Sequence, residues 1–188
     1  MKKRLVSILL VLVMVLGMFP TMAAAADAPT EITSAEEFAT MPASGDYILK
    51  ADIIITAPYG NNFSGTFDGD GHTVTLDIKG TANYVGMFKN LTGAAGKTVT
   101  VKNVILAGKI DAASRGNVGG IAGFANPYSG PIKIENCKNT ATIIAKEKVG
   151  GILGSCQSDA NEVSVIGCGN TGTITASGYY AGGIVGNL

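Results

Sequence analysis

Few residues in this chain could do chemistry. His72 is the only histidine, Arg115 is the only arginine after Arg4, and the cysteines are Cys137, Cys156 and Cys168. A zinc site needs several His, Cys or carboxylate ligands, and no H-E-x-x-H pair is present. A triad around His72 would need a nucleophile and an acid, for which the sequence offers no motif. Asp68-Gly69-Asp70-Gly71 resembles part of a calcium loop. A full EF-hand loop needs further oxygen ligands and a distal Glu, whereas His72, Val74 and Leu76 occupy that stretch. The segment reads as a tight turn between strands. Arg115 has the chemistry of a polysaccharide-lyase base, but the carboxylates that would hold the accompanying calcium are scattered. No catalytic, cofactor-binding or metal-binding residue is assigned.

The cysteines and threonines take their meaning from spacing. Cys137 and Cys168 are 31 residues apart. If each repeat is one stacked coil, their Cα atoms lie about 4.8 Å apart, within reach of a disulfide. In-register neighbours point their Cβ atoms the same way, which suits the disulfide dihedral poorly. Val104 occupies the preceding equivalent position, so the reading is a buried thiol ladder. Cys156 has no repeat equivalent. Thr140 and Thr142 recur as Thr171 and Thr173, too short an array for ice binding.

The elements that position these residues begin after a leader. Lys2, Lys3 and Arg4 precede an uncharged apolar run from Leu5 to Phe19, then Pro20 and the small residues Ala23 to Ala26. This is the pattern of a secretory signal peptide, residues 1–26, cut after Ala26. The apolar run falls short of the ~20 residues a spanning helix needs. Removing three of the 14 basic residues while keeping all 14 acidic ones leaves a net charge of −3. A weakly acidic chain with scattered lysines does not suit nucleic acid, and no second apolar segment spans a membrane.

The 26 glycines, about twice the usual share, follow a period. Val118 to Gly123 reads VGGIAG, Val149 to Gly154 reads VGGILG and Ala181 to Gly186 reads AGGIVG, with a weaker copy at Val85-Gly86-Met87-Phe88. A second block steps in the same register: Val101 to Val104, Ile134 to Cys137 and Val165 to Cys168. The steps are 31 to 33 residues. Alternating Val, Ile and Thr between the blocks indicates strands, and no long helical stripe follows Thr40. A β-solenoid accounts for both the period and the glycines, which would serve as corners. Interior ladders are expected of Ile110, Ile143 and Ile174, of Ile121, Ile152 and Ile184, and of Val104, Cys137 and Cys168. Ser34 and Glu37 read as a capping box opening a short helix, before strands at Tyr47-Ile48-Leu49 and Ile53-Ile54-Ile55.

Phe63-Ser64-Gly65-Thr66-Phe67-Asp68-Gly69-Asp70-Gly71-His72, followed by the VGGIAG copies, resembles bacterial secreted and surface proteins with GLUG-type repeats. The resemblance implies an all-β, right-handed parallel β-helix, here of about 4–5 coils with a short N-terminal capping helix. Residues 27–62 would form the cap and first strands, and residues 63–188 the repeats, expected to be truncated at the C-terminus. It also implies a non-catalytic cell-surface stalk or adhesin-like binding module, secreted or held at the cell surface. Surface glycans or host and matrix proteins are the expected partners. The loops Asn126 to Gly130 and Gln157 to Asn161 would be presented to them. The rival readings are a carbohydrate-active β-helix enzyme and an accessory repeat region of a larger secreted enzyme.

Overall fold

A computed structural model describes residues 28–157 and 161–188. The expected signal peptide, and most of the Gln157–Asn161 loop, lie outside the described residues. The chain forms a β-solenoid of about four turns in which strands of successive turns stack in parallel. It enters through β1 (Thr30–Ile32) and one short helix, α1 (Ala35–Thr40). The next passage is β2 (Asp46–Leu49), β3 (Ile53–Ile55) and β4 (Tyr59–Phe63), followed by β5 (Thr66–Asp68), β6 (Thr73–Lys79) and β7 (Phe88–Thr92). Then come β8 (Val99–Lys102), β9 (Ile105–Gly119) and β10 (Ala122–Asn126). The following passage is β11 (Ile132–Glu135), β12 (Lys138–Asn139), β13 (Thr142–Gly150) and β14 (Leu153–Cys156). The last holds β15 (Val163–Ile166), β16 (Gly169–Asn170), β17 (Ile174–Ala176), β18 (Ala181–Gly182) and β19 (Val185–Asn187).

These strands make three faces. Sheet A runs β1-β2-β5-β8-β11-β15, and sheet C runs β4-β7-β10-β14-β19. Sheet B is centred on β9 and β13, with β3 and β6 on one side and β16, β12, β17 and β18 joining the others. The stretch before Phe63 therefore already stacks as part of the solenoid. Among the described residues no helix is long and apolar enough to cross a membrane.

The interior is built from the expected ladders. Ile143 pairs with Ile110 and Ile174, and Ile110 pairs in turn with Ile78. Ile121 donates its N–H to Ile152 O, and Ile152 to Ile184 O, at 2.9 Å each. Val104 and Cys137 are fully buried, with Lys138 N–H donating to Val104 O and Gly169 N–H to Cys137 O. The inward residues of every strand thus meet their equivalents one coil away, which removes apolar surface from water along the whole axis.

α1 closes the N-terminal end. Ser34 takes extended backbone as N-cap, and its Oγ accepts the Glu37 N–H at 3.2 Å. Glu37 reaches one residue further back than a standard capping box, accepting from the Thr33 N–H at 2.7 Å and the Thr33 hydroxyl at 2.9 Å. Phe38, on the inner face of α1, packs edge-on against Tyr59, Phe67 and Phe88.

Each glycine of the G-G-I-x-G block has its own steric role. A Cβ on Gly119, Gly150 or Gly182 would strike the carbonyl three residues on, at Ala122, Leu153 or Val185. A Cβ on Gly120 or Gly151 would strike the carbonyl of the equivalent glycine in the next coil. A Cβ on Gly123, Gly154 or Gly186 would enter the backbone of the preceding coil's corner, at Tyr84, Asn117 or Lys148. These glycines supply space, and none of them has positive φ. Gly183 differs from the expectation drawn from its repeat position. Among the described residues nothing lies within 4 Å of its added Cβ.

The left-handed backbone sits elsewhere. One column is Asp70 (φ 50), Asn103 (φ 55), Asn136 (φ 51) and Gly167 (φ 63). A second is Tyr84 (φ 62), Asn117 (φ 57), Lys148 (φ 52) and Tyr180 (φ 63). Asp and Asn tolerate this region, whereas Tyr and Lys are held there against their preference by the stacked neighbours.

Candidate functional site

The D-G-D-G-H segment is the turn from β5 to β6. Asp70 and Gly71 both have positive φ, and His72 N–H closes the turn on Gly69 O at 2.8 Å. Its carboxylates are already engaged. Asp68 Oδ1 accepts from Asp70 N–H and from the Asn103 amide, both at 2.9 Å, while Lys102 Nζ lies 3.1 Å from Oδ2. Lys50 Nζ reaches Asp70 at 2.8 Å. His72 Nδ1 lies 3.2 Å from Asp52 Oδ1, which also accepts Thr73 N–H at 2.8 Å. Burial alone would raise the Asp68 pKa. The Asp70 N–H, the Asn103 amide and Lys102 outweigh it and hold the carboxyl below the usual carboxylate range. Every strong donor here points at a carboxylate that stitches one coil to the next, so the segment works as a turn.

Arg115 lies in β9 where the register against β13 slips. Ala112 pairs with Ala145 and Gly116 with Glu147, so Ala113, Ser114 and Arg115 bulge opposite Lys146. Its Nε is a buried polar atom with no hydrogen-bond partner among the described residues. No cluster of three or more His, Cys, Asp or Glu suited to a metal occurs among the described residues.

The cysteines are free thiols. Cys168 Sγ accepts Cys137 N–H at 3.4 Å, and Cys137 is buried while Cys168 is half-buried. The bond to Cys168 and burial push the Cys137 thiol far up. Cys168, receiving hydrogen bonds from the Cys137 thiol and N–H against the opposing cost of burial, is lowered to about 7. The spacing of 31 exposed this pair. Repeat-equivalent Asn139 and Asn170 are less conspicuous in sequence. Asn139 is buried, bonds both the N–H and the carbonyl of Ala141, and donates to Asn170 Oδ1 at 2.7 Å. Asn170 repeats the arrangement on Gly172 at 3.2 Å, so a polar ladder runs beside the cysteine ladder.

The three faces differ in surface chemistry. The strands of sheet A carry Glu31, Asp46, Asp68, Lys102, Lys133 and Glu135, including the Lys133–Glu135 pair at 2.7 Å. Sheet B carries the Lys109–Asp111 pair at 2.9 Å and further charges in β6 and β13. The sheet C strands read YGNNF, FKNLT, AGFAN, LGSC and VGN, with no carboxylate and Lys89 as their only charge. Asn62, Asn90, Phe124, Ser155 and Asn187 fall in one register column across that sheet. The Asn90 amide donates to Asn62 Oδ1 at 2.9 Å, and Ser155 Oγ donates to Asn117 Oδ1. The Phe124 ring stands 5.3 Å from that of Tyr84. The expected loop Asn126 to Gly130 is held by Tyr128 N–H on Asn126 Oδ1 and presents an exposed Tyr128 ring.

Comparison with protein-family models, curated proteins and solved structures gives no match for this chain.

Proposed function

We propose that the chain is an exported, non-catalytic β-solenoid serving as a cell-surface stalk or adhesin-like binding module. The observation that carries this reading is how the polar side chains are spent. Asp52, Asp68, Asp70, Asp111 and Glu135 each engage a Lys or His within 3.2 Å, which leaves a rigid scaffold with broad outer faces. The leader pattern of residues 1–26 supports export. The F-S-G-T-F-D-G-D-G-H and VGGIxG motifs support kinship with GLUG-type bacterial surface proteins. Surface glycans or host and matrix proteins are the partners this reading implies.

The test is fractionation of a bacterial host expressing the whole chain, followed by N-terminal sequencing and binding arrays of glycans and matrix proteins. The expected product lies outside the cytoplasm and starts at Asp27. A cytoplasmic product with an intact Met1 end would overturn export. Binding on the arrays would favour the adhesin-like role, and silence the stalk. The enzyme reading finds one favourable feature, the unpartnered Nε of Arg115. Calcium-dependent release of unsaturated products from a polyuronate, lost in Arg115→Ala, would establish that reading instead.

A further inference from the structure

We infer that the outer face of sheet C is a binding surface for a neutral, extended polysaccharide, centred on Phe124 and Tyr84. The inference rests on the binding-module form of the reading above and gives it an address. Three observations converge. The first is charge. Across β4, β7, β10, β14 and β19 the only ionisable group of high charge is Lys89, while sheets A and B are laced with ion pairs. A face without carboxylates, bearing one cation, offers nothing to a cationic ligand and only a single point of attraction to an anionic one.

The second is the type of polar group. Asn62, Asn90 and Asn187 bring amides that both donate and accept, which is what a sugar hydroxyl needs from its partners. They share one column of strands about 4.8 Å apart: Asn62 and Asn90 are neighbours, and Asn187 lies three strands on, beyond Phe124 and the buried Ser155. A ligand with a short, regular repeat along its length can meet this column several times. The third is the ring pair. Phe124 interrupts the amide column at its middle and lies half-buried, with its ring 5.3 Å from that of Tyr84. Tyr84 is held at φ 62, a costly backbone for tyrosine, in a corner packed against Gly123. An aromatic platform beside the Asn62–Asn90 amides can take the apolar face of a pyranose ring while the amides take its hydroxyl edge.

The test is affinity electrophoresis of the protein through gels cast with hydroxyethylcellulose, arabinoxylan or galactomannan, with polygalacturonate as the charged comparator. Retardation by at least one neutral polymer is expected, insensitive to added salt. Phe124→Ala and Asn90→Asp should each weaken it about tenfold, the loss of roughly one good contact. Asn90→Asp serves as the second variant because it adds charge at a half-exposed site without removing packing, and its melting temperature should match the parent's. Lys133→Ala on sheet A should leave retardation unchanged. Retardation kept by both sheet C variants and lost in Lys133→Ala would overturn this site while leaving a binding module. Retardation by polygalacturonate alone, screened by salt, would overturn the neutral ligand. No retardation in any gel would overturn the inference and leave the stalk.

Discussion

Between Phe38 and Phe88 the solenoid interior is filled with rings. Phe38, Tyr47, Tyr59, Phe63, Phe67 and Phe88 are buried there, and Phe63 stacks on Phe88 with centroids 4.8 Å apart. From Val118 onward the buried apolar residues are Ile, Val, Leu, Ala and Cys, and the later aromatic rings lie at the surface. The buried residues from Leu91 to Ala112 are already aliphatic, so the buried rings end with Phe88. In the G-G-I-x-G blocks an added Cβ would strike backbone at the corner or in the next coil, which keeps those coils closely stacked. The N-terminal turns are therefore held by side-chain packing, and the later turns by backbone proximity and ladder register.

The sharpest way to break this contrast uses two positions of the same motif. Gly151→Val drives a side chain into the Gly183 carbonyl and the Asn170 side chain, neither of which can withdraw without parting two coils. Overpacking of this kind is expected to cost more than about 3 kcal/mol, because backbone rather than a side chain must move. Gly183→Val meets open space and should change stability by less than about 0.5 kcal/mol. Urea unfolding of the pair measures both. Equal midpoints would show that the block acts through φ or sequence context rather than through space.

In the ring-filled half the matching experiment removes volume. Phe88 touches Phe38, Tyr59, Phe63 and Phe67, so Phe88→Ala leaves a cavity under α1 and should cost about 3–5 kcal/mol. Hydrogen exchange should show protection lost first around α1, β4 and β7. A uniform loss across β13 and β14 would mean that the two halves share one packing mode.

Much of this contrast could be read from the residues, and the rest could not for a definite reason. The ladders at Ile110, Ile121 and Val104 announce themselves because a solenoid repeats every interaction once per coil, and repetition is visible in a string. The Ser34–Glu37 cap is a local pattern and was equally visible. The ring cluster was hidden: Phe38, Tyr59, Phe67 and Phe88 share no period and meet only in three dimensions. The corner column Tyr84, Asn117, Lys148 and Tyr180 was hidden too, since Tyr and Lys carry no preference for left-handed backbone. The charge asymmetry of the faces needed the assignment of strands to sheets.

Acid should distinguish the halves more gently. Glu37, Asp52 and Asp68 lie before Val99 with lowered pKa values, whereas after it Asp111 alone among the described carboxylates is shown lowered, chiefly by its bond from Lys109. For Glu37 the leading cause is the Thr33 N–H, and for Asp52 the Thr73 N–H; Asp68 is lowered despite burial. A group depressed on folding contributes stability above its unfolded pKa, about 4 for these carboxyls, and loses it as pH falls through the lower folded value. Amides around α1, β3 and β6 should therefore lose exchange protection as pH falls below about 4, ahead of those in β13. Simultaneous loss would sink the assignment of these carboxylates to the N-terminal turns.

The smallest effect concerns reactivity in the later turns rather than stability. Cys168 is half-buried with its pKa lowered to about 7, whereas the Cys137 thiol beneath it is driven up by its bond to Cys168 and by burial. Burial raises Cys156 as well. Only the thiolate alkylates readily, so iodoacetamide should modify Cys168 first in the folded protein, at a rate rising through a midpoint near pH 7. Cys168→Ser should abolish that phase with little change in melting temperature. After unfolding without reductant all three cysteines should titrate. Recovering only one would mean that Cys137 and Cys168 are joined, and that the later coils are held by a covalent cross-link in addition to their stacked backbones.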